Sequence, residues 1–235
     1  MASQCTVFNP ALIVVDLQED FCPPNGALAV AGGREIAPII NSLLTLPFTT
    51  RIATKDYHPR AHISFASNHP PPDNKPFESI ITIANPYNPS ETQTSRLWPD
   101  HCVQGTPGAE LIQELDAKNI QHIVEKGKDE RVEMYSAFTD PFENPSVSTS
   151  ELAKILKEAQ TTHVFVTGLA TDYCVKHTAI DAAKEGFKTY VVKDAVRGVD
   201  PSPEGCGAAE KDMEAAGIVM VRLDGEELGM VKARA

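Results

Sequence analysis

The chain has 235 residues, of which 42% are hydrophobic and 23% charged, a composition typical of globular proteins that excludes an intrinsically disordered one. Its net charge of −11 argues against a nucleic-acid-binding protein, because phosphate binding depends on clustered lysine and arginine. No apolar run reaches the roughly 18 residues of a membrane-spanning helix. At roughly 100–200 residues per domain, we expect a single domain over residues 1–235.

The N-terminal segment and the cysteines bear on the compartment. MASQCTVFNPALIVVD lacks a basic region and reaches an acid after a short apolar run, so we expect no signal peptide. The cysteines are widely spaced and form no CxxC pair, which favours a reducing compartment where thiols act singly. We therefore predict a cytoplasmic protein, with the nucleus as an alternative. The five cysteines are Cys5, Cys22, Cys102, Cys174 and Cys206.

Short apolar runs alternate along the chain with amphipathic stretches. The runs predict buried strands at 11–15, 51–54, 120–124, 163–167, 188–192 and 218–221. The stretches predict helices at 34–44, 107–118, 148–159, 172–185 and 207–216. Strands alternating with helices imply a doubly wound, mostly parallel α/β sheet of about six strands with helices on both faces. Such sheets bind ligands beyond the carboxyl ends of their strands, so functional residues should directly follow strands.

Two of the predicted helices carry capping signals. Ser148 and Glu151 have the spacing of a capping box at the start of the helix over 148–159. Asp172 can cap the start of the helix over 172–185, and Gly186 follows its end.

Residues 70–97 interrupt the alternation. The segment is rich in proline, asparagine, serine and threonine and shows no sustained helical period. We interpret it as an insertion, either a surface loop or a wall over the strand ends, since long loops in compact domains often cover active sites.

The first two predicted strands end in polar residues. Asp16 is either a turn or capping residue or a catalytic base. Asp56 and His58 follow the second strand, where residues i and i+2 of an extended backbone point to one side. An aspartate oxygen with a histidine nitrogen suits zinc, iron or manganese. The candidate third ligands are His62, His69 and His101, although a single histidine is more often a hydrogen-bonding surface group.

The next two strands end in a lysine and a cysteine. Lys126 is either a surface lysine or a cation aimed into the cleft, and its position leaves both open. Cys174 falls near the first turn of the following helix, whose N-terminal end favours a thiolate and can hold an oxyanion. The alternative for Cys174 is a buried structural thiol. Because all four strand ends meet at one edge of the predicted sheet, their side chains together indicate an active site.

Six motifs resemble the nicotinamidase/pyrazinamidase branch of the isochorismatase-like cysteine hydrolase family. They are, in chain order, DLQEDFC (16–22), KDYHPRAHISFASNH (55–69), WPDHC (98–102), EKG (125–127), YSAF (135–138) and GLATDYCV (168–175). The resemblance covers about residues 11–221. DxH combined with WPxHC is specific to the metal-containing amidases, whereas the GxxTxxCV motif marks only the superfamily.

The resemblance implies roles for individual residues. Asp16, Lys126 and Cys174 match the family's catalytic triad. Ala170 matches the residue after a cis peptide bond, and its main-chain amide and that of Cys174 match the oxyanion hole. The aromatic positions of the substrate pocket are matched by Phe21, Trp98 and Tyr135.

The resemblance also implies one divalent metal ion. Asp56, His58 and His101 match its ligands, with zinc favoured and iron or manganese as alternatives. His62 matches a histidine that some relatives use as a further ligand, and its role here stays open.

The implied function is hydrolysis of nicotinamide, and of pyrazinamide, to the acid and ammonia, feeding NAD salvage. Asp16 would take the thiol proton of Cys174 while Lys126 favours the thiolate, and a cysteine thioester would form. The pyridine nitrogen would bind the metal, with Phe21 and Trp98 stacking on the ring. The implied partner is this small substrate, with no nucleic acid or membrane, and a homo-oligomer is left open.

Two alternatives remain at this stage. One is a related metal-independent carbamoyl or ureido amidase, against which the complete Asp56, His58 and His101 set argues. The other is a catalytically silent protein that binds a ligand or a protein, or senses oxidants through Cys174.

Overall fold

The computed structural model describes residues 7–234, so Cys5 lies outside the described residues. Its centre is a six-stranded sheet with the order β5–β2–β1–β6–β7–β8, in which all neighbouring strands are parallel. These strands are β1 (Pro10–Val15), β2 (Thr50–Asp56), β5 (His122–Lys126), β6 (His163–Leu169), β7 (Lys188–Arg197) and β8 (Val219–Val221). All six predicted strands are therefore present, and the predicted doubly wound sheet is confirmed.

Helices cover both faces of this sheet. They are α1 (Ala37–Leu44), α2 (Leu152–Glu158), α3 (Lys176–Lys184), α4 (Cys206–Ala215) and α5 (Glu226–Lys232). Along β1, Leu12 and Val14 pack on the side of α1 and α5, whereas Ile13 packs on the side of α2, α3 and α4. Burial on both faces explains why β1 is apolar at every position. Within 7–234, none of the helices is long and apolar enough to cross a membrane.

The predicted helix over 107–118 is wrong. The segment instead holds two single 3₁₀ turns, Pro107–Ala109 and Ala117–Asn119. Between them, the Ile112 amide donates to the Leu17 carbonyl, and the Glu110 carbonyl accepts from the Glu19 amide. The backbone groups that a helix would use internally are thus bonded to the turn after β1, and this tertiary pairing overrides the apolar spacing.

Both predicted helix starts differ in the structure. α2 begins at Leu152, whose amide donates to Ser150 Oγ, while the Ser148 amide is held by the Asp140 carboxylate, so no capping box forms. The Asp172 carboxylate accepts from the amides of residues 199 and 200 and fixes the loop after β7 instead of capping α3.

The end of α3 follows the sequence prediction. The helix stops at Lys184, and Gly186 has a φ of +91°, the left-handed conformation that glycine adopts without steric cost.

The proline-rich segment contains an antiparallel hairpin of β3 (Ile80–Asn85) and β4 (Asn88–Arg96), separate from the main sheet. Residue Ile83 packs against Val132 and Phe142, which attaches the hairpin to the loop after β5. The end of β4 leads directly into Trp98, so the hairpin adjoins the strand ends of the sheet.

Candidate active site

The central strands place the predicted residues together. The chain moves outward from β1 to β2 and β5 on one side, and from β6 to β7 and β8 on the other, so β1 and β6 flank the switch point of the sheet. Asp16 directly follows β1, and Lys126 ends β5. Cys174 lies in the turn after β6, and ligand atoms of Asp16, Asp56 and Cys174 lie within 4.8 Å of one another.

Lys126 is the fully buried centre of this cluster, with 1% of its surface exposed. Its Nζ lies 3.1 Å from Asp16 Oδ2, 2.5 Å from Asp56 Oδ1 and 3.5 Å from Cys174 Sγ. Burial alone would lower the pKa of Lys126, but the two carboxylates raise it well above its usual value. Lys126 is therefore a permanent cation aimed into the site, and the surface alternative is wrong.

The thiol of Cys174 is surrounded by opposing charges. Burial and the carboxylates of Asp16 and Asp56 raise the pKa of the thiol well above its usual value, against the lowering effect of Lys126. Burial also raises the pKa of Asp16, again against Lys126. Asp16 Oδ1 accepts from Thr54 Oγ1, and the buried Oδ2 is paired with the Lys126 ammonium 3.1 Å away. Burial thus favours the protonated thiol, and the Asp16 carboxyl group lies beside it, with ligand atoms of the two residues within 4.8 Å of each other.

The chain between β6 and α3 turns sharply. The peptide bond between Leu169 and Ala170 is cis, as the resemblance implies. Residues Thr171–Val175 form a π-helical turn in which the amides of Tyr173 and Val175 both donate to the Ala170 carbonyl. This turn carries Cys174 to the end of the sheet, beside the main chain of Ala170.

Asp56, His58 and His101 are buried and offer ligand atoms within 4.8 Å of one another. His58 Nδ1 donates to the Gly127 carbonyl and His101 Nδ1 to the Pro99 carbonyl, which leaves Nε2 of each ring as the donor for a metal. His58 Nε2 is buried without a hydrogen-bond partner among residues 7–234. An unpaired buried nitrogen beside a carboxylate and a second imidazole fits a divalent metal site.

The other two candidate histidines are occupied elsewhere. In His62, Nδ1 is paired with Ser64 Oγ and Nε2 with the Val132 carbonyl. Its ring packs on that of His58 with centroids 4.0 Å apart, so it supports a ligand and offers no free nitrogen. His69 Nε2 bonds the Ile63 carbonyl and lies outside the cluster.

A small pocket opens beside these groups. Among the residues that line it are Phe21, Trp98, Tyr135, Ala170, Cys174, Asp56 and His101. Trp98 is 3% exposed, and its Nε1 donates to Tyr135 Oη over 3.0 Å. The three predicted aromatic residues therefore face the same space as the thiol and two of the candidate metal ligands, Asp56 and His101.

Several residues of the site were absent from the sequence prediction. Glu133 lines the pocket although it is 6% exposed, and burial raises its pKa. Gln18 donates to the Asp56 carbonyl and accepts from the Asp56 amide, while Asp20 accepts from the Cys102 amide beside His101. Gln18 and Asp20 both belong to the motif DLQEDF, but spacing alone does not indicate that their side chains hydrogen-bond to the backbone of other loops. Glu133 lies seven residues after the end of β5, and no feature of the sequence around it indicates a role in the site.

Comparison with known proteins identifies the family that this chain matches. The isochorismatase domain family matches residues 10–228. The nicotinamidase of Acinetobacter baylyi is 47% identical over 192 residues, which cover 82% of this chain and 83% of that protein. The yeast nicotinamidase bound to nicotinaldehyde has a TM-score of 0.84 and 36% identity, covering 91% of this chain and 99% of that one. A pyrazinamidase of Pyrococcus horikoshii in complex with zinc has a TM-score of 0.69 and 36% identity, with 91% and 99% covered.

Proposed function

The chain belongs to the isochorismatase domain family, in its nicotinamidase/pyrazinamidase branch, and we propose that it hydrolyses nicotinamide to nicotinate and ammonia through a thioester on Cys174. It is a hydrolase of a carboxamide C–N bond, and its product feeds NAD salvage, as the family implies. Pyrazinamide, which carries the same carboxamide on a related ring, is the proposed second substrate.

One observation carries the proposed mechanism. The buried thiol of Cys174 lines a pocket whose other walls hold aromatic rings, and the Lys126 ammonium, paired with the Asp16 carboxylate, lies 3.5 Å from its sulfur. Thiol, base and cation are the parts that nucleophilic acyl transfer needs, and an aromatic pocket suits a planar heterocyclic amide.

The first half-reaction forms the thioester. Asp16 Oδ2 takes the Cys174 proton as Sγ bonds to the carboxamide carbon, and Lys126 stabilises the negative charge on sulfur during the transfer. The main-chain amides of Ala170 and Cys174 hold the resulting oxyanion, at roughly 3 kcal/mol per donor. Asp16 then returns the proton to nitrogen, the C–N bond breaks, and ammonia leaves.

The second half-reaction releases the acid. Asp16, again a carboxylate, takes a proton from water as the water oxygen attacks the thioester carbon. The same two amides hold the second oxyanion. The C–S bond then breaks, the sulfur regains a proton from Asp16, and nicotinic acid is released, which loses its remaining proton to water to give nicotinate.

Asp56, His58 and His101 would hold one divalent metal ion, for which we propose zinc, because their oxygen and nitrogen donors suit it and a related pyrazinamidase is in complex with zinc. When bound, the metal supplies a Lewis acid that can take a ring nitrogen of the substrate as a ligand. Phe21, Trp98 and Tyr135 exclude water and orient the ring, so that the carboxamide meets Cys174.

The test is ammonia release from nicotinamide by the zinc-loaded protein, compared with Cys174→Ala and with a metal-stripped sample. We expect release from the first and loss in both others. Full activity of Cys174→Ala would refute the thioester, whereas activity that survives stripping would refute the role of the metal. Inactive zinc-loaded wild-type protein would favour ureido or carbamoyl substrates, or a binding protein.

We extend the proposal to the organisation of the protein. Residues 1–235 are proposed as one isochorismatase-like domain with the segment 70–97 inserted in it. Residues Cys22, Cys102, Cys174 and Cys206 are all free thiols, which supports a reducing, cytoplasmic or nuclear compartment. A homo-oligomer stays a prediction, to be checked by sedimentation.

A further inference from the structure

Glu133 has no part in the mechanism above, although it lines the same pocket as Asp56, His101 and Cys174. It is 6% exposed, and its Oε1 accepts from the Met134 amide over 2.9 Å. No residue in 7–234 donates a hydrogen bond to Oε2. No cationic nitrogen of these residues lies within 4.0 Å of the Glu133 carboxylate, the limit for an ion pair. Its Oε2 therefore faces the pocket as an acceptor that a bound group can use.

The charges of the pocket indicate the kind of group. Asp16, Asp56 and Glu133 contribute three carboxylates, and Lys126, bound to the first two, contributes one ammonium. Lys126 thus already has two carboxylate partners, whereas no cation of residues 7–234 binds Glu133. Buried charge is tolerated when it is paired, so a dication at Asp56, His58 and His101 would supply a cation to the pocket that Glu133 lines.

We propose that Glu133 is a positioning residue for the metal, which raises the affinity of the Asp56–His58–His101 site for a divalent cation. Its Oε2, which accepts no hydrogen bond from residues 7–234, supplies an acceptor oxygen for water on the ion. The inference rests on the metal site of the proposed function and extends it to a residue outside the ligand set. Mutation of a residue that hydrogen-bonds to the groups on a metal ion typically weakens metal binding by about 10–100-fold.

The test uses Glu133→Gln, because glutamine keeps the shape and the Oε1 acceptor for the Met134 amide. Zinc affinity of the metal-stripped, full-length protein is measured by competition with a chromophoric chelator. We expect the zinc dissociation constant to rise about 10–100-fold. The matched control is Glu130→Gln, an exposed acid three residues away, which should leave zinc affinity unchanged.

The thermal midpoint of the metal-free proteins separates this role from a structural one. Because glutamine keeps the Oε1 acceptor and carries no charge in a buried position, the midpoint of Glu133→Gln should equal that of wild type or exceed it. An unchanged zinc dissociation constant would overturn the proposal, even if the KM for nicotinamide rose, because Glu133 would then contact the substrate. A lower metal-free midpoint would also overturn it. Ammonia release is measured separately, so zinc binding without release would count against the proposed function alone.

Discussion

Lys126 Nζ donates a hydrogen bond to Cys174 Sγ across 3.5 Å, and the same ammonium binds the carboxylates of Asp16 and Asp56. One cation therefore serves both halves of the site. In the proposed mechanism, it stabilises charge on the sulfur and neutralises the base that removes the thiol proton. Because the group is buried, water cannot replace it in either role.

Replacing Lys126 by methionine should abolish both roles, and a second substitution at Asp16 should distinguish stability from activity. Two buried carboxylates would lose their cation, so we expect the free energy of unfolding to fall by roughly 3–5 kcal/mol and amide hydrolysis to drop by at least about a hundredfold. Urea unfolding and ammonia release measure the two effects. Adding Asp16→Asn should restore part of the stability but none of the activity. Recovery of activity in that double variant would contradict the roles given to both residues.

Gly127 controls the position of His58. It has a φ of +66°, its carbonyl accepts from His58 Nδ1, and a Cβ built on it would lie 2.4 Å from His58 Cε1. We predict that Gly127→Ala displaces the imidazole and weakens zinc binding by at least about tenfold. The control is Gly186→Ala, where φ is +91° but no atom lies within 4 Å of the new Cβ. This control should lose stability while zinc affinity, measured by chelator competition, stays at the wild-type value.

The strand ends could be predicted because local signals and tertiary structure agree there. The run ALIVV before Asp16 and the run HVFVT in β6 are buried on both sides, and parallel strands bring their carboxyl ends to one edge. The third candidate metal ligand could not be predicted in this way, since three histidines were open candidates from spacing alone. Only the family resemblance singled out His101, and the structure shows why His62 and His69 have no free nitrogen beside the other ligands.

The sequence predictions fail where hydrogen bonds to distant residues decide the local structure. The helix predicted over 107–118 is absent because its backbone bonds the turn after β1. Asp172 has the position of a helix cap, but its carboxylate binds amides after β7, 27 and 28 residues further along the chain. Glu133 enters the pocket through an irregular loop, whose path no periodicity describes. In each case the deciding partner is far away in sequence, so composition and spacing carry no signal for it.

The hydrogen bond from Trp98 Nε1 to Tyr135 Oη joins two walls of the pocket. Tyr135→Phe would leave a buried indole N–H without its acceptor, so we expect a loss of roughly 1–3 kcal/mol in unfolding free energy and a higher KM for nicotinamide. Thermal denaturation and steady-state kinetics check both. The comparison variant is Tyr87→Phe, at a residue that is 58% exposed, which should change neither. An unchanged KM in Tyr135→Phe would remove this tyrosine from the substrate pocket.

His177 stacks on Tyr135 from the side of α3, with ring centroids 5.5 Å apart. Burial, aided by the charge of Lys176, lowers its pKa to about 4 from 6.5. The folded state therefore keeps this imidazole neutral between those values, while the unfolded chain binds a proton, so stability must fall as pH falls from about 6.5 toward 4. We expect the His177 contribution to be on the order of 1–3 kcal/mol across this range. His177→Phe keeps an aromatic ring against Tyr135 but removes the titrating group. The free energy of unfolding, measured with urea, should therefore fall less for this variant than for wild type as the pH is lowered. A difference that stays constant from pH 7 to pH 4 would show that His177 titrates alike in the folded and unfolded states.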